Sequence, residues 1–474
     1  MSTNAPTAAS QKGHPPGLFL LFTTEMWERM SYYGMRALLS LYLADKTRGG
    51  FGWNDEQTLA LYGWYTGLVY LTPVAGGYLA DRWIGQRRSV LIGGALMMIG
   101  QFLLAMPGLA FLYAGLGMLI IGNGFFKPNI STMVGGLYRQ GDPRRDSAFT
   151  IFYMGINVGA MLSSFVCGTI GERVSWGAGF ASAGVGMALG LVTFFTLANR
   201  LLGDVGKAPS ESVSASAGSS GSIVNDDDSR PLTTEEIQRI AVIVILSAFV
   251  IIFWAGFEQA GGLMNLYTER KIDRVVFGWE VPTTWFQAVN AIFIVGLGLP
   301  FAAMWTALGR RGKDPSSPTK MGLGLLLLGA GFVLMLGAVN QAAAQGKAHM
   351  FWIIGAYLLH TMGELCLSPI GLSMVTKLAP KRYASLLMGI WFLSNAAANK
   401  LAGTIGGQAS KLGEYTIFGG IAATTAAAGL VLLAISPVLK RMMHGADSVT
   451  SEPVAQEAGG DAVAMRAAEK PTTV

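Results

Sequence analysis

The stretch LFLLFTTEMWERMSYYGMRALLSLYL, residues 18–43, holds the main clue to the architecture of this chain. A bilayer core of roughly 30 Å takes about 20 predominantly apolar residues in a helix, and this stretch is long enough to cross one. It also carries Glu25, Glu28, Arg29 and Arg36. Each ionised side chain at mid-bilayer costs at least about 2.5–3.5 kcal/mol. A helix that keeps four of them must turn that face towards partners or water. No strand-like alternation competes, and backbone within lipid must be helix or closed barrel.

Working outward, comparable apolar stretches recur at 58–80, 89–106, 109–135, 147–171, 176–199, 240–268, 284–307, 320–341, 350–377, 384–409 and 415–439. With 18–43 they predict twelve spanning helices. The whole composition agrees: of 474 residues, 51% are hydrophobic and 13% charged, against about 25% charged in soluble domains. The 63 glycines are spread along the chain, which suits close helix packing in lipid.

The net charge of +6 is a matter of placement. Loops on the side of the N-terminus hold Arg82, Arg87 and Arg88, then Arg139, Arg144 and Arg145, then further groups after each later pair of helices. Lys and Arg divide roughly twenty to eight between the two sides, the positive-inside pattern. Both termini are therefore expected in the cytoplasm of a bacterial inner membrane, with the bilayer as the main partner and no nucleic acid. The segment MSTNAPTAASQKGHPPG has no apolar core and reads as a short polar tail rather than a cleaved signal. Cys167 and Cys366 fall inside helices, read as small buried packing residues, and define no disulfide framework.

One linker interrupts the pattern. Residues 202–236 contain APSESVSASAGSSGSIVNDDDSRPLTTEE, too polar to bury or to span lipid. Pro231 followed by LTTEE reads as a helix start. The expected organisation is a tail at 1–17, six helices over 18–201, the linker at 202–236, six helices over 237–441 and a disordered tail at 442–474. Parallel six-helix repeats about a cytoplasmic linker are the layout of major facilitator transporters. The loop GGYLADRWIGQRR also resembles that superfamily's signature, with Asp81 beside Arg82 and Arg87, an arrangement able to form a gate-closing ion pair; the alternative is a generic basic turn. The echo in the second half, WTALGRRGK, is weaker.

The intramembrane charges point to function. Beyond helix 1, Lys127, Glu258, Glu364 and Lys400 lie inside predicted helices. Eight uncompensated charges would cost on the order of 20 kcal/mol, more than most folds have to spare. Four carboxylates balance four bases. Static ion pairs between helices are the plain alternative, but apolar replacements of buried pairs are often neutral or stabilising, so the set is read as functional. Glu25, Glu28, Arg29, Tyr32, Tyr33 and Arg36 follow steps of three and four and form one polar stripe. An Arg one turn from two carboxylates favours their ionised form and burial opposes it; such a cluster suits a proton-coupled carrier. For Tyr32 and Tyr33 an interfacial aromatic belt is the other reading.

The run EMWERMSYYGMRALL (25–39) closely resembles the ExxER-x-x-YYG motif of proton-dependent oligopeptide transporters. The resemblance continues in order through VYLTPVAGGYLADRWIGQRR (69–88), GNGFFKPNISTMVG (122–135), FYMGINVGA (152–160), FWAGFEQ (253–259), WFQAVNAIF (285–293), GELCLSPIGLSMVTKLAP (363–380) and GIWFLSNAAANKLAG (389–403). It implies a major facilitator fold, and a symporter that imports di- and tripeptides with protons by alternating access, as a monomer without a cofactor other than the coupling proton. It implies that Arg36 and Lys127 take the peptide carboxylate, assisted by Tyr32, Tyr33 and Tyr70. Glu364 would take the amino group with Asn157 and Asn290, while Ser368 and Trp391 line side-chain pockets. It assigns proton coupling to Glu25, Glu28 and Arg29 with Glu258, an outer gate to Arg36 with Glu258, and a bridge between the halves to Lys127 with Glu364.

Alternatives stay open for several of these. Asn157 and Asn290 also suit helix–helix hydrogen bonding, and Trp391 plain packing. His360, one turn before Glu364, reads first as a satisfied packing histidine and second as a modulator of Glu364. Lys400 has no assigned role. Residues 202–236 are too short for the extra helical hairpin of many bacterial relatives, and helix 2 lacks the His used by animal relatives. No HExxH, serine nucleophile motif or His–Cys pair supports an enzyme. Charges of both signs fit a zwitterion better than an ion filter. The remaining rival is a carrier of nitrate or an amino-acid derivative on the same fold, against which Glu364 argues because it repels an anion.

Overall fold

The computed structural model describes residues 13–139, 142, 144–207, 209, 232–380 and 383–446, without the side chains of residues 146, 368–373, 376 and 385. Its long helices are Pro16–Ala44 (α1), Asp55–Leu79 (α2), Gln86–Leu104 (α3), Leu109–Gly136 (α4), Arg144–Ser163 (α5), Trp176–Leu201 (α6), Thr234–Phe257 (α7), Trp285–Arg310 (α8), Ser317–Gln345 (α9), Phe351–Leu378 (α10), Ala384–Gly407 (α11) and Glu414–Met442 (α12). Local chemistry sets their starts. Pro16 opens α1, where a missing N–H costs nothing. Asn54 caps α2 by accepting from the Gln57 N–H. Thr233 and Glu236 form a reciprocal capping box at α7. Pro231, expected at that start, lies outside the described residues.

Among the described residues, eight helical runs, those of α3 to α9 and α12, are long and apolar enough to cross a membrane by length and composition. α1 falls outside that set because its charges interrupt the apolar run, and α10 contributes a shorter apolar segment, Phe351–Leu367. Exposed apolar side chains such as Phe195 and Leu299 lie on the outside of the bundle, as a lipid-facing surface requires.

Helices α1 to α6 pack on one another, as do α7 to α12; α2 meets α11 and α5 meets α8 across the halves. The α2–α11 crossing is tight because both residues at the contact lack a side chain. A Cβ on Gly403 would lie 2.7 Å from the Gly63 Cα and 2.3 Å from the Leu59 carbonyl oxygen. The two ends of the bundle differ. We call proximal the end bearing the termini and distal the end bearing residues 45–54. Cross-half polar contacts gather at the distal end: Arg270 holds Asp55 through two bonds of 2.7 and 2.8 Å, and Lys411 meets Glu56 at 2.8 Å.

Two departures from the sequence reading matter. The stretch 240–268 is not one continuous helix. α7 ends at Phe257, a 3-10 turn covers Glu258–Ala260, and a short helix resumes at Leu263–Lys271. Gly261 sits at the break, where a Cβ would lie 1.9 Å from the Tyr62 hydroxyl, so close approach of α2 excludes a side chain there. The chain is also not purely helical. Residues 272–273 pair in parallel with 348–349, and 275–276 pair antiparallel with 279–280. Phe277 and Gly278, both with positive φ, form the two-residue turn of that hairpin.

Candidate functional site

The polar stripe on α1 divides in two. Arg29 lies 3.1 Å from Glu25 and also binds Glu28. All three are at most 3% exposed. Glycine on α5 permits this: a Cβ on Gly159 would lie 2.8 Å from the Arg29 Cβ and 2.3 Å from the Met26 carbonyl. Among the described residues, Glu25 Oε2, Glu28 Oε1 and Arg29 Nη2 have no hydrogen-bond partner. A buried carboxylate oxygen without a donor is costly, and that cost falls if the oxygen is protonated or hydrated.

Two turns further on, the same helix reaches the other half. Arg36 donates to the Tyr62 hydroxyl at 2.6 Å and forms an ion pair with Glu258. The 3-10 turn at Glu258–Ala260 presents that carboxylate. Ser40 donates to the Gly261 carbonyl at 3.0 Å, and the Asn265 side-chain amide donates to the Ala37 carbonyl at 2.9 Å. These bonds close α1 against the broken helix at the distal end.

Below this closure lies a cavity of about 170 Å³ between the halves. It brings together Tyr33, Arg36, Tyr70, Lys127, Asn157, Glu258, Asn290, Glu364 and Trp391. Lys127 stands with its Nζ 5.0 Å from the centre of the Tyr70 ring. Asn290 on α8 donates to Glu364 at 2.9 Å and to the Thr361 hydroxyl at 3.0 Å, so it both joins two helices and orients the carboxylate. Asn157 donates to the Tyr153 carbonyl on its own helix at 3.1 Å.

Other expected residues stand apart. Glu25, Glu28 and Arg29 are not among the lining side chains, nor is Tyr32, which packs edge-on behind Tyr33 with ring centres 5.2 Å apart. The side chain of Ser368 lies outside the described residues. Arg87 is held within the first half, donating to the Val205 carbonyl at 2.6 Å and the Gly203 carbonyl at 2.8 Å. Asp81 and Arg82 lie in a π-turn after α2, where Arg82 reaches the Tyr78 hydroxyl at 2.6 Å. Lys400 lies 4.7 Å over the Trp64 ring, away from the cavity lining. His360 lines the cavity, its ring tilted against Phe332 with centres 4.7 Å apart. It is packed, but neither ring nitrogen makes a hydrogen bond of regular geometry among the described residues.

The cavity also recruits Tyr153, Trp254, Gln287, Tyr357, Asn395 and Asn399, which reading the chain did not single out. Asn395 and Asn399 lie four apart on α11, a spacing that would have flagged them. The others sit on separate helices and have no shared signal along the chain.

Two helical halves around a polar cavity with charges of both signs define a membrane carrier of the major facilitator type. Comparison with known proteins narrows this. The family model described as POT family matches residues 87–204 and 207–419, and the chain belongs to that family. It is similar to the "Uncharacterized transporter YclF" of Bacillus subtilis, 38% identical over 91% of this chain and 96% of that one. It is also similar to the "Peptide transporter YePEPT" of Yersinia enterocolitica, 36% identical over 94% and 98% of the two chains. The "Di-/tripeptide transporter" of Lactococcus lactis subsp. cremoris is 33% identical over 91% and 97%. Among solved structures, a peptide transporter POT in complex with sulfate superimposes with a TM-score of 0.84 at 37% identity, covering 92% of this chain and 97% of that one. A POT family transporter in complex with 5-aminolevulinic acid gives 0.81 at 30% identity, covering 91% and 98%.

Proposed function

We propose that this protein imports di- and tripeptides together with protons by alternating access. The observation that carries this reading is a single cavity lined by Arg36 and Lys127 on one half and by Glu364, held by Asn290, on the other. A zwitterionic peptide needs cationic partners for its carboxylate and an anionic one for its amino group. The relatives named peptide and di-/tripeptide transporters support the same substrate class. Tyr33 and Tyr70 add hydrogen-bond donors to the cationic end, and Trp391 with Ser368 shapes side-chain pockets.

In this reading the coupling ion is the proton and no other cofactor takes part. Glu25, Glu28 and Arg29 hold it, with Glu258 as a second site. A proton on Glu258 releases Arg36, which is then free for the peptide carboxylate. Lys127 and Glu364 bridge the halves at another stage of the cycle; here Glu364 is held by Asn290. Proton and substrate thus favour the same rearrangement, and that shared preference is the coupling. Twelve spans, a monomer, a bacterial inner membrane and cytoplasmic termini complete the proposal, with the distal end outside and closed by the Arg36–Glu258 pair.

The deciding measurement is uptake of labelled dialanine into proteoliposomes under an imposed proton gradient, with competition by peptides, amino acids, 5-aminolevulinic acid and nitrate. The expected outcome is gradient-dependent accumulation displaced by di- and tripeptides. Displacement by nitrate, with peptides inert, would assign the anion reading instead.

A further inference from the structure

The distal end of α5 does not finish as a regular helix. A π-turn covers Ser164–Gly168 and a short helical turn follows at Thr169–Arg173. Single π-turns inside α-helices are frequent at functional sites. Here Gly168, Thr169 and Glu172 of the first half face the entry to α8 in the second.

The contacts are specific. One Glu172 oxygen accepts from the Thr283 N–H at 2.8 Å. The other accepts from the Thr284 N–H at 2.8 Å and the Thr284 hydroxyl at 2.7 Å. The Trp285 indole N–H donates to the Thr169 hydroxyl at 2.8 Å. Thr283 and Thr284 are wholly buried. Thr284 occupies the N-cap position of α8 but makes no side-chain cap of its own, so the other half of the protein supplies the carboxylate that the helix entry favours. The approach depends on Gly168, where a Cβ would lie 2.0 Å from the Thr284 hydroxyl oxygen and 2.6 Å from its Cβ. Arg274 stands 3.9 Å from Glu172 and is itself held by Glu269 and Glu280, each at 3.0 Å.

We infer that Glu172, seated on Thr283 and Thr284, is a second outer gate, distinct from Arg36–Glu258, and sets the resting balance between the inward-open and outward-open forms. This rests on the carrier reading above. Opening the distal end requires α5 to leave α8, and all four bonds break together in that step. Glu172, Thr283 and Thr284 do not line the cavity. Substrate therefore competes for Arg36 but has no access to this clamp. The first gate sets the response to peptide; the second sets the equilibrium on which that response acts.

The test uses the full-length protein in liposomes with spin labels at Val174→Cys and Leu412→Cys, exposed distal positions on opposite halves. Glu172→Gln keeps the shape but loses the charge and one acceptor. Without substrate, its long-distance population is expected to rise about tenfold, as for loss of a charge-assisted hydrogen bond. In uptake, KM and kcat should fall together, because more carriers wait outward-open and fewer complete the return. Thr284→Val, which loses only the hydroxyl, should shift the same way by less, and Glu172→Asp should recover part of the effect. Unchanged distances in Glu172→Gln, or a lower kcat at constant KM with a lower melting temperature, would overturn the gate and leave a structural cap. Failure of the wild-type protein to take up dipeptide would count against the substrate reading alone, since the distance measurement needs no substrate.

Discussion

Two charge clusters on the same face of α1 behave differently. Glu25, Glu28 and Arg29 pair within one helix and one half. Arg36, two turns away, pairs with Glu258 of the other half. In the proposed cycle the first cluster keeps its partners however the halves rock, and so is suited to hold a proton throughout. The second must break whenever the distal end opens, so it couples charge to shape. Sequence spacing placed all of them on one stripe; only the partner's location separates the two, and with it the proposed roles of storage and gating.

The largest expected effect tests the first cluster. Glu28→Gln should abolish proton-driven accumulation of dipeptide while leaving counterflow exchange intact, because the variant cannot release a proton yet still rocks. Normal accumulation in that variant would break the comparison at its root. Next comes Glu364, which has a donor in Asn290. Glu364→Gln should raise KM for dialanine roughly ten- to a hundredfold, the worth of a hydrogen bond to a charged group, and leave an N-acetylated peptide unaffected. Equal losses for both peptides would remove the amino-group assignment.

A smaller effect sharpens the gating side. Glu258→Gln should increase the outward-open population about tenfold by distance measurement, whereas Glu28→Gln should not move it. An equal shift in both variants would erase the distinction between the clusters.

Asp45, just past α1, is a local cluster at the distal end. It accepts from the Trp176 indole at 2.8 Å, from the Arg48 N–H at 2.8 Å and from the Thr47 N–H and hydroxyl at 3.1 Å. Burial pushes its pKa up, but these bonds, led by Trp176, outweigh burial and hold it below its ordinary value. A depressed carboxylate pKa adds stability that is fully present above the unfolded value, about 3.9, and fades as pH falls through the folded one. Asp45→Asn should therefore lower stability by about 1 kcal/mol at neutral pH and by less below about pH 4. A melting-temperature series against pH checks the sign. The smallest effect belongs to Lys400, which faces Trp64 and not the cavity. Lys400→Met should change stability by under about 0.5 kcal/mol and leave uptake unaltered; a large loss of uptake would add a third functional group of charges.

Legibility in the sequence followed from the range of each interaction. The helices announce themselves because lipid imposes long apolar runs. The Glu25–Arg29 contact is local, so a step of four residues predicts it. Tyr153, Trp254, Gln287 and Tyr357 were missed because each contributes one polar or aromatic group from a different helix. Their convergence depends on how six-helix halves face each other, which no local period encodes. Glu172 was missed for a related reason: it lies at a helix end, where an acidic residue reads as a solvated turn.

By itself the sequence determined that the chain is a helical membrane protein in two halves, with a charged stripe on its first helix, because hydropathy and helical period act over a few turns. The tertiary structure alone decided which charges pair across the halves, where α7 breaks, and that the short turn after α5 caps α8. Those features depend on contacts between residues more than a hundred positions apart, such as Glu172 with Thr284 and Arg36 with Glu258. They form only when glycines such as Gly168 and Gly261 let the two halves approach closely enough to bury a charge against its partner.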